Sequence, residues 1–296
     1  MLTLKNKTVL VTGATNGLGK TIAEEIAKKG AEVIIVSRNQ DKCVATVNHI
    51  QQLTGNPNIR YYAADLSVQS DVRNLVRKLT NDLQRLDVLI NNAGAWFSKR
   101  QLSADGFELT WALNHLSYFL LTHGLLDLLK HTATEYGNAR IINQSSLAHH
   151  EGAIHWDNLQ FEDSWETDGK GSVGPGWAVY SQSKLANVLH AFTVARKLEG
   201  TGVVANAVHP SVVVTGFSAN NGLIYKLVTP IRRLFNRTTP QRGVAPAVYL
   251  ATVPEAATIS GAYYGPLHKQ ETVNPIANDI VSQDRLWQVS LEQVGL

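Results

Sequence analysis

Tyr180 and Lys184 stand four residues apart, a separation that places two side chains on one face of a helix. A phenol with an ordinary pKa of about 10 is a poor proton donor or acceptor near neutrality. A neighbouring ammonium favours the phenolate and lowers that value. The pair therefore predicts a tyrosine that acts as general acid in a reduction and general base in an oxidation. Leu185, Val188, Leu189, Phe192 and Ala195 recur behind it at helical spacing. Tyr-x-x-x-Lys also arises by chance on solvated helix faces, so the spacing gains weight only from what surrounds it.

A second constellation lies near the start of the chain. Gly13, Ala14, Thr15, Asn16, Gly17, Leu18 and Gly19 follow an apolar run at 8–12 and precede a helical pattern at 20–29 closed by Gly30. A glycine-rich turn between strand and helix brings backbone N–H groups and a helix N-terminus against a pyrophosphate. The next apolar run ends in Val36-Ser37-Arg38-Asn39. A fold that binds NAD usually places an acid there for the adenosine ribose. Arginine binds a 2′-phosphate through its planar fork instead, so Ser37 and Arg38 predict NADP(H). Lys42 adds to the field, while Asp41 reads as the first turn of a helix, where an acid suits the helix dipole.

These groups need elements to hold them. Strand-like runs fall at 8–12, 32–37, 59–63, 88–91, 140–144, 203–208 and 261–264. Helix-length stretches alternate with them, one over 41–53. Another carries Val72, Leu75, Val76, Leu79 and Leu83 behind Ser70, read as its N-cap. Such alternation predicts an α/β, doubly wound Rossmann fold, with a mainly parallel seven-stranded sheet flanked by helices on both faces. No Pro/Gly/Ser linker divides residues 1–296, which read as a single domain. A net charge of +3 is too small to imply nucleic-acid binding. The lone Cys43 excludes an intrachain disulfide. With no basic-then-apolar leader and no apolar run of about 20 residues, the expectation is a cytoplasmic protein without a membrane span. His149, His150 and His155 lack an acid or cysteine at a metal-binding spacing, and no metal is expected.

In order along the chain stand Thr12–Gly19, Asp65-Leu66, Asn91-Asn92-Ala93-Gly94, Asn114, Ser145-Ser146, Tyr180/Lys184 and His209-Pro210. This series resembles the short-chain dehydrogenase/reductase family over nearly the whole chain. The stretches at 140–149 and 180–187 are similar to its retinol-dehydrogenase-like branch. The resemblance implies a carbonyl reductase or alcohol dehydrogenase with Asn114, Ser146, Tyr180 and Lys184 as catalytic set. It implies that Asp65 and Leu66 flank the adenine and that Asn92, Ala93 and Gly94 lie along the adenosine ribose. Lys184 would also hold the nicotinamide ribose, and Ser146 the substrate oxygen. Asn114 would hold a water that relays protons from Tyr180 through Lys184 to solvent. Val213 and Thr215 would meet the carboxamide and the phosphates. Ser211 stands where the family has glycine after His-Pro, a strained placement if that position needs a positive φ.

Two segments point to the substrate. The connection at 147–179 is long for a compact domain and carries Trp156, Phe161, Trp165 and Trp177, which either line an apolar pocket or pack the loop down. The segment 216–242 mixes Leu223, Ile224, Leu227, Val228, Ile231, Leu234 and Phe235 with Lys226, Arg232, Arg233 and Arg237 around Pro230. It reads as a lid, compatible with peripheral contact to a membrane surface. Trp96 and Phe97 are further pocket candidates. Together these favour a lipophilic alcohol, aldehyde or ketone. A nucleotide-sensing or scaffold protein on the same fold is the other reading, and homo-oligomerisation is left open.

Overall fold

The computed structural model describes residues 4–163, 175–210 and 239–296. Seven parallel strands form one sheet in the order β3-β2-β1-β4-β5-β6-β7. They are β1 (Thr8–Thr12), β2 (Glu32–Ser37), β3 (Ile59–Ala63), β4 (Val88–Asn91), β5 (Ala139–Gln144), β6 (Val203–Val208) and β7 (Tyr263–Tyr264). The doubly wound expectation is met, with every pairing parallel. The continuous apolar strands are buried on both faces, as β1 and β4 show.

Helices α1 (Gly17–Ala27), α2 (Gln40–Thr54) and α7 (Pro240–Thr252) cover one face. Ile22, Ile26, Ile50 and Leu250 pack there against Val9, Val11, Ile35 and Ile90. The other face carries α3 (Gln69–Asp82), a short helix α4 (Leu109–Trp111), α5 (Ser117–Tyr136), α6 (Pro175–Lys197) and α8 (Ile280–Gln293). Its core joins Leu75, Leu79, Leu125, Leu189 and Leu286 to Leu10, Leu89 and Ile141. Each such fully buried side chain contributes about 1.5–3 kcal/mol. Between α4 and α5 the chain widens into a π turn, Ala112–Leu116, which contains Asn114.

The start of α3 differs from expectation. Ser70 lies inside the helix; the N-cap is Val68, whose side chain makes no cap bond. The Gln69 N–H is instead satisfied by the Asp105 carboxylate at 2.8 Å. A partner 36 residues away is invisible to a local capping rule. Asp41 does fall in the first turn of α2, which Asn39 caps through the Lys42 N–H at 2.8 Å.

The strand order reverses between β1 and β4, and ligands of such sheets bind in the crevice beyond the carboxyl ends of the strands at that point. Here the Thr12 hydroxyl accepts from the N–H groups of Asn92 and Ala93, both at 2.9 Å. The Asn92 amide donates back to the Thr12 carbonyl at 2.8 Å. The two strand ends are thereby locked side by side.

Candidate active site

The glycine turn is built for close approach. Gly13 holds φ at +66°, and a Cβ there would lie 2.7 Å from the Ala93 Cα. A Cβ on Gly19 would meet the Gly13 carbonyl oxygen at 2.4 Å. Only glycine lets α1 sit so tightly on the strand end. The Asn16 side chain makes no capping bond and the first turn carries no acid. Uncapped N–H groups at a helix N-terminus fit an anion such as a pyrophosphate.

Around this turn the expected binding residues come together. The Thr15 and Ser37 hydroxyls share a hydrogen bond of 3.0 Å. Arg38 lies exposed at the end of β2, with no ion pair among the described residues, and Lys42 is exposed on α2. Asp65 Oδ1 accepts from the Ser67 N–H and hydroxyl at 3.0 and 2.7 Å, which fixes the carboxylate in its turn. Leu66 is buried beside it, and Gly94 is exposed on the crevice floor near Asn114 Oδ1 and Lys184 Nζ. These features fit a nicotinamide dinucleotide. Val213, Thr215, Ser211 and residues 216–238 of the expected lid lie outside the described residues, as does Trp165.

Across the crevice, α6 brings Tyr180 and Lys184 to the carboxyl end of β5. Lys184 is 3% exposed and its ammonium donates to the Gln144 carbonyl at 2.9 Å. Asn187 donates to the same oxygen at 3.2 Å. The Ser145 hydroxyl turns inward to the Lys184 carbonyl at 2.7 Å, whereas Ser146 hydrogen-bonds Tyr180. Ser146, and not Ser145, thus faces the crevice. Its hydroxyl also accepts from the Ala148 N–H at 3.2 Å, opening a short helix at Leu147–Glu151.

The Asn114 side chain is fully engaged. It accepts from the Ala95 N–H at 2.9 Å and donates to the Ala95 carbonyl at 2.9 Å and the Ser183 hydroxyl at 3.0 Å. The amide therefore ties the π turn to α6 and to the loop after β4. Ser183 passes its own proton to the Tyr180 carbonyl at 2.7 Å. Neither Ser183 nor the Gln144 carbonyl was singled out in the sequence, since a backbone acceptor and a serine in a helix carry no spacing signal.

Electrostatics depart from the simple expectation. Burial pushes the Tyr180 phenol up to about 12, with the Ser146 hydrogen bond opposing it. Burial pulls the Lys184 ammonium down to about 7. The four-residue spacing predicts a tyrosine lowered by the lysine. In the protein alone desolvation wins, because the ammonium sits 5.7 Å from the Tyr180 ring centroid and its hydrogen bond goes to Gln144.

The mouth of the site is apolar. Trp96, Ala148 and Tyr180 form a buried cluster against Trp177. The two tryptophans meet edge to face at 5.9 Å, and Trp177 lies 5.3 Å from Tyr180. The alternatives for the 147–179 aromatics thus divide. Trp177 borders the site, while Trp156 packs on the main core beneath Arg285, and buried Phe161 meets His155 edge to face at 4.8 Å.

A family model described as short chain dehydrogenase matches residues 7–158. Human retinol dehydrogenase 13 is 38% identical over 299 residues, covering 99% of this chain and 86% of the relative. Human retinol dehydrogenase 11 is 35% identical, covering 99% and 87%. Among solved structures, an uncharacterised protein from Mycobacterium paratuberculosis matches with a TM-score of 0.76 at 27% identity, over 100% of this chain and 96% of that one. Pseudomonas aeruginosa RhlG, solved as an active-site complex with NADP, matches with a TM-score of 0.69 at 25% identity, over 89% and 95%.

Proposed function

The chain belongs to the short-chain dehydrogenase family, in its retinol-dehydrogenase-like branch, and we propose that it interconverts a lipophilic alcohol and its carbonyl with NADP(H). The observation that carries this reading is the convergence of Tyr180, Lys184, Ser146 and Asn114 beside the uncapped glycine turn. A sensor or scaffold on the same fold would have no use for a phenol and an ammonium buried together. The relatives named retinol dehydrogenases and the Trp96/Trp177 wall support an apolar substrate such as a retinoid.

The bound cofactor supplies the hydride of reduction and takes it up in oxidation. Gly13, Thr15, Asn16, Gly17, Leu18 and Gly19 would bind its pyrophosphate and Arg38, beside Ser37, its 2′-phosphate. Asp65, Leu66, Asn92, Ala93 and Gly94 would hold the adenosine end, and Val213 and Thr215 the nicotinamide end. Ser146 would donate to the substrate oxygen and orient it. Tyr180 would give that oxygen its proton in reduction and remove it in oxidation. A phenol held near 12 keeps its proton at neutral pH, which suits the acid role. Lys184 would hold the nicotinamide ribose and favour the phenolate during proton transfer, with Asn114 fixing the turn beside it.

Tyr180→Phe is the decisive test. Turnover of NADPH with retinaldehyde should fall by about 10²–10⁴-fold, while NADPH still quenches tryptophan fluorescence with an unchanged Kd. Retained turnover rejects the acid/base assignment. Arg38→Asp should reverse the preference for NADPH over NADH, and an unchanged kcat/KM ratio removes the phosphate clamp.

A further inference from the structure

Beneath Tyr180 and Lys184 lies a group with no part in the proton transfer proposed for them. Tyr118, in the first turn of α5, is 1% exposed. Its hydroxyl oxygen has no hydrogen-bond partner among the described residues. A buried hydroxyl without a partner costs free energy that phenylalanine of the same shape would not incur. Packing therefore explains the ring and leaves the oxygen unexplained.

The surroundings of the ring point to a use. The Lys184 ammonium lies 5.7 Å from the Tyr118 centroid and 5.7 Å from the Tyr180 centroid, so it is flanked by two phenols. An ammonium has three donors, and the Gln144 carbonyl is its hydrogen-bond partner among the described residues. Tyr118 follows Asn114 by four residues, and Asn114 reaches α6 through Ser183. Among the described residues, the titratable groups facing Lys184 are Tyr118 on α5 and Tyr180 on α6, and no carboxylate offsets its burial. With one donor on Gln144 and one for the nicotinamide ribose, a third ammonium donor and a hydroxyl in want of a partner share one buried place.

We propose that Tyr118 is a positioning residue for Lys184: its hydroxyl anchors one water against the ammonium and so holds the lysine in its charged form. The inference rests on the assignment of Tyr180 and Lys184 as the proton-transfer pair. A direct bond between hydroxyl and ammonium is not made, so a single bridging water is the smallest unit that satisfies both. Solvating the ammonium from below opposes the desolvation that otherwise drives it neutral.

Tyr118→Phe tests this by separating fold from function. Melting temperature should hold, because phenylalanine keeps the packed ring and the lost water-mediated bond is offset by the removed desolvation cost of the hydroxyl. The alkaline limb of kcat should move down by about one pH unit, equivalent to about a tenfold loss of charged lysine on that limb. KM for NADPH should stay within about twofold, since the water is read as serving the charged state and not ground-state binding. An unchanged pH profile overturns the proposal and leaves the hydroxyl idle. A drop in melting temperature with kcat and KM falling together also overturns it, in favour of packing. Tyr180→Phe run in parallel separates the two claims: full turnover there defeats the parent reading whatever Tyr118 does.

Discussion

The space between α5, α6 and the sheet buries titratable groups at both of its ends, and the two ends treat them differently. At the carboxyl edge of the strands, Lys184, Tyr180 and Tyr118 are desolvated beside an open crevice. Deeper, where α8 covers them, His115 and His190 are desolvated; the His190 ring centroid lies 5.5 Å from Phe119 and 6.3 Å from Trp287. Burial lowers both histidines, His190 to about 3. The lower groups have settled tautomers. Ser290 gives its proton to the Leu286 carbonyl at 2.7 Å, so His115 must donate through Nε2 to the Ser290 oxygen at 2.8 Å. The Asn143 amide donates to His190 Nδ1 at 3.0 Å, leaving that nitrogen unprotonated. Perturbed ionisation therefore does not by itself mark a site. Access to the crevice, where Gly94 is exposed beside Lys184, distinguishes the upper end from the lower.

The sharpest way to break this comparison is Lys184→Met. At the upper end it should cost about a thousandfold in kcat without costing stability. The sign with pH follows from the lowered value of the folded lysine. Between about 7 and its ordinary 10.5 the unfolded chain binds the extra proton, so stability rises with pH across that window. Below 7 both states are charged and the folded state bears the cost of burial. The variant should therefore melt higher than the parent at pH 6 to 7, and the gap should close towards pH 10. A gap that stays constant in calorimetry across that range would show that the lysine is not desolvated.

The two ends also differ in how legible they were. The strands, the glycine turn and the Tyr180/Lys184 pair could be read because their signals are local: runs of apolar residues, glycines at a strand end, a four-residue spacing. The strand bounds at 8–12, 32–37, 59–63, 88–91 and 203–208 coincide with those observed. What escaped the sequence depends on partners far along the chain. Asp105 caps α3, Ser290 pairs with His115 across 175 residues, and Tyr118 meets Lys184 only because α5 and α6 pack side by side. The ionisation of Lys184 escaped for the same reason, since desolvation is a property of the whole core and not of the spacing.

The smallest effect should come from the lower end, with the same sign in a more acid window. His190 is neutral when folded, and the unfolded chain takes up its proton as pH falls below about 6.5. Its contribution is thus complete above 6.5 and is lost as pH falls towards about 3. His149, lowered by burial to about 4, shares the window. His190→Gln keeps an acceptor for the Asn143 amide but removes the titration. The midpoint of acid unfolding should move down by about half a pH unit, read by far-UV circular dichroism, with kcat at pH 7 unchanged. An unmoved midpoint would mean that His190 opens to water before the fold is lost. A fall in kcat would mean that the lower end is coupled to the upper through the Asn143 to Asn187 link, where the Asn143 amide lies 3.2 Å from the Asn187 carbonyl.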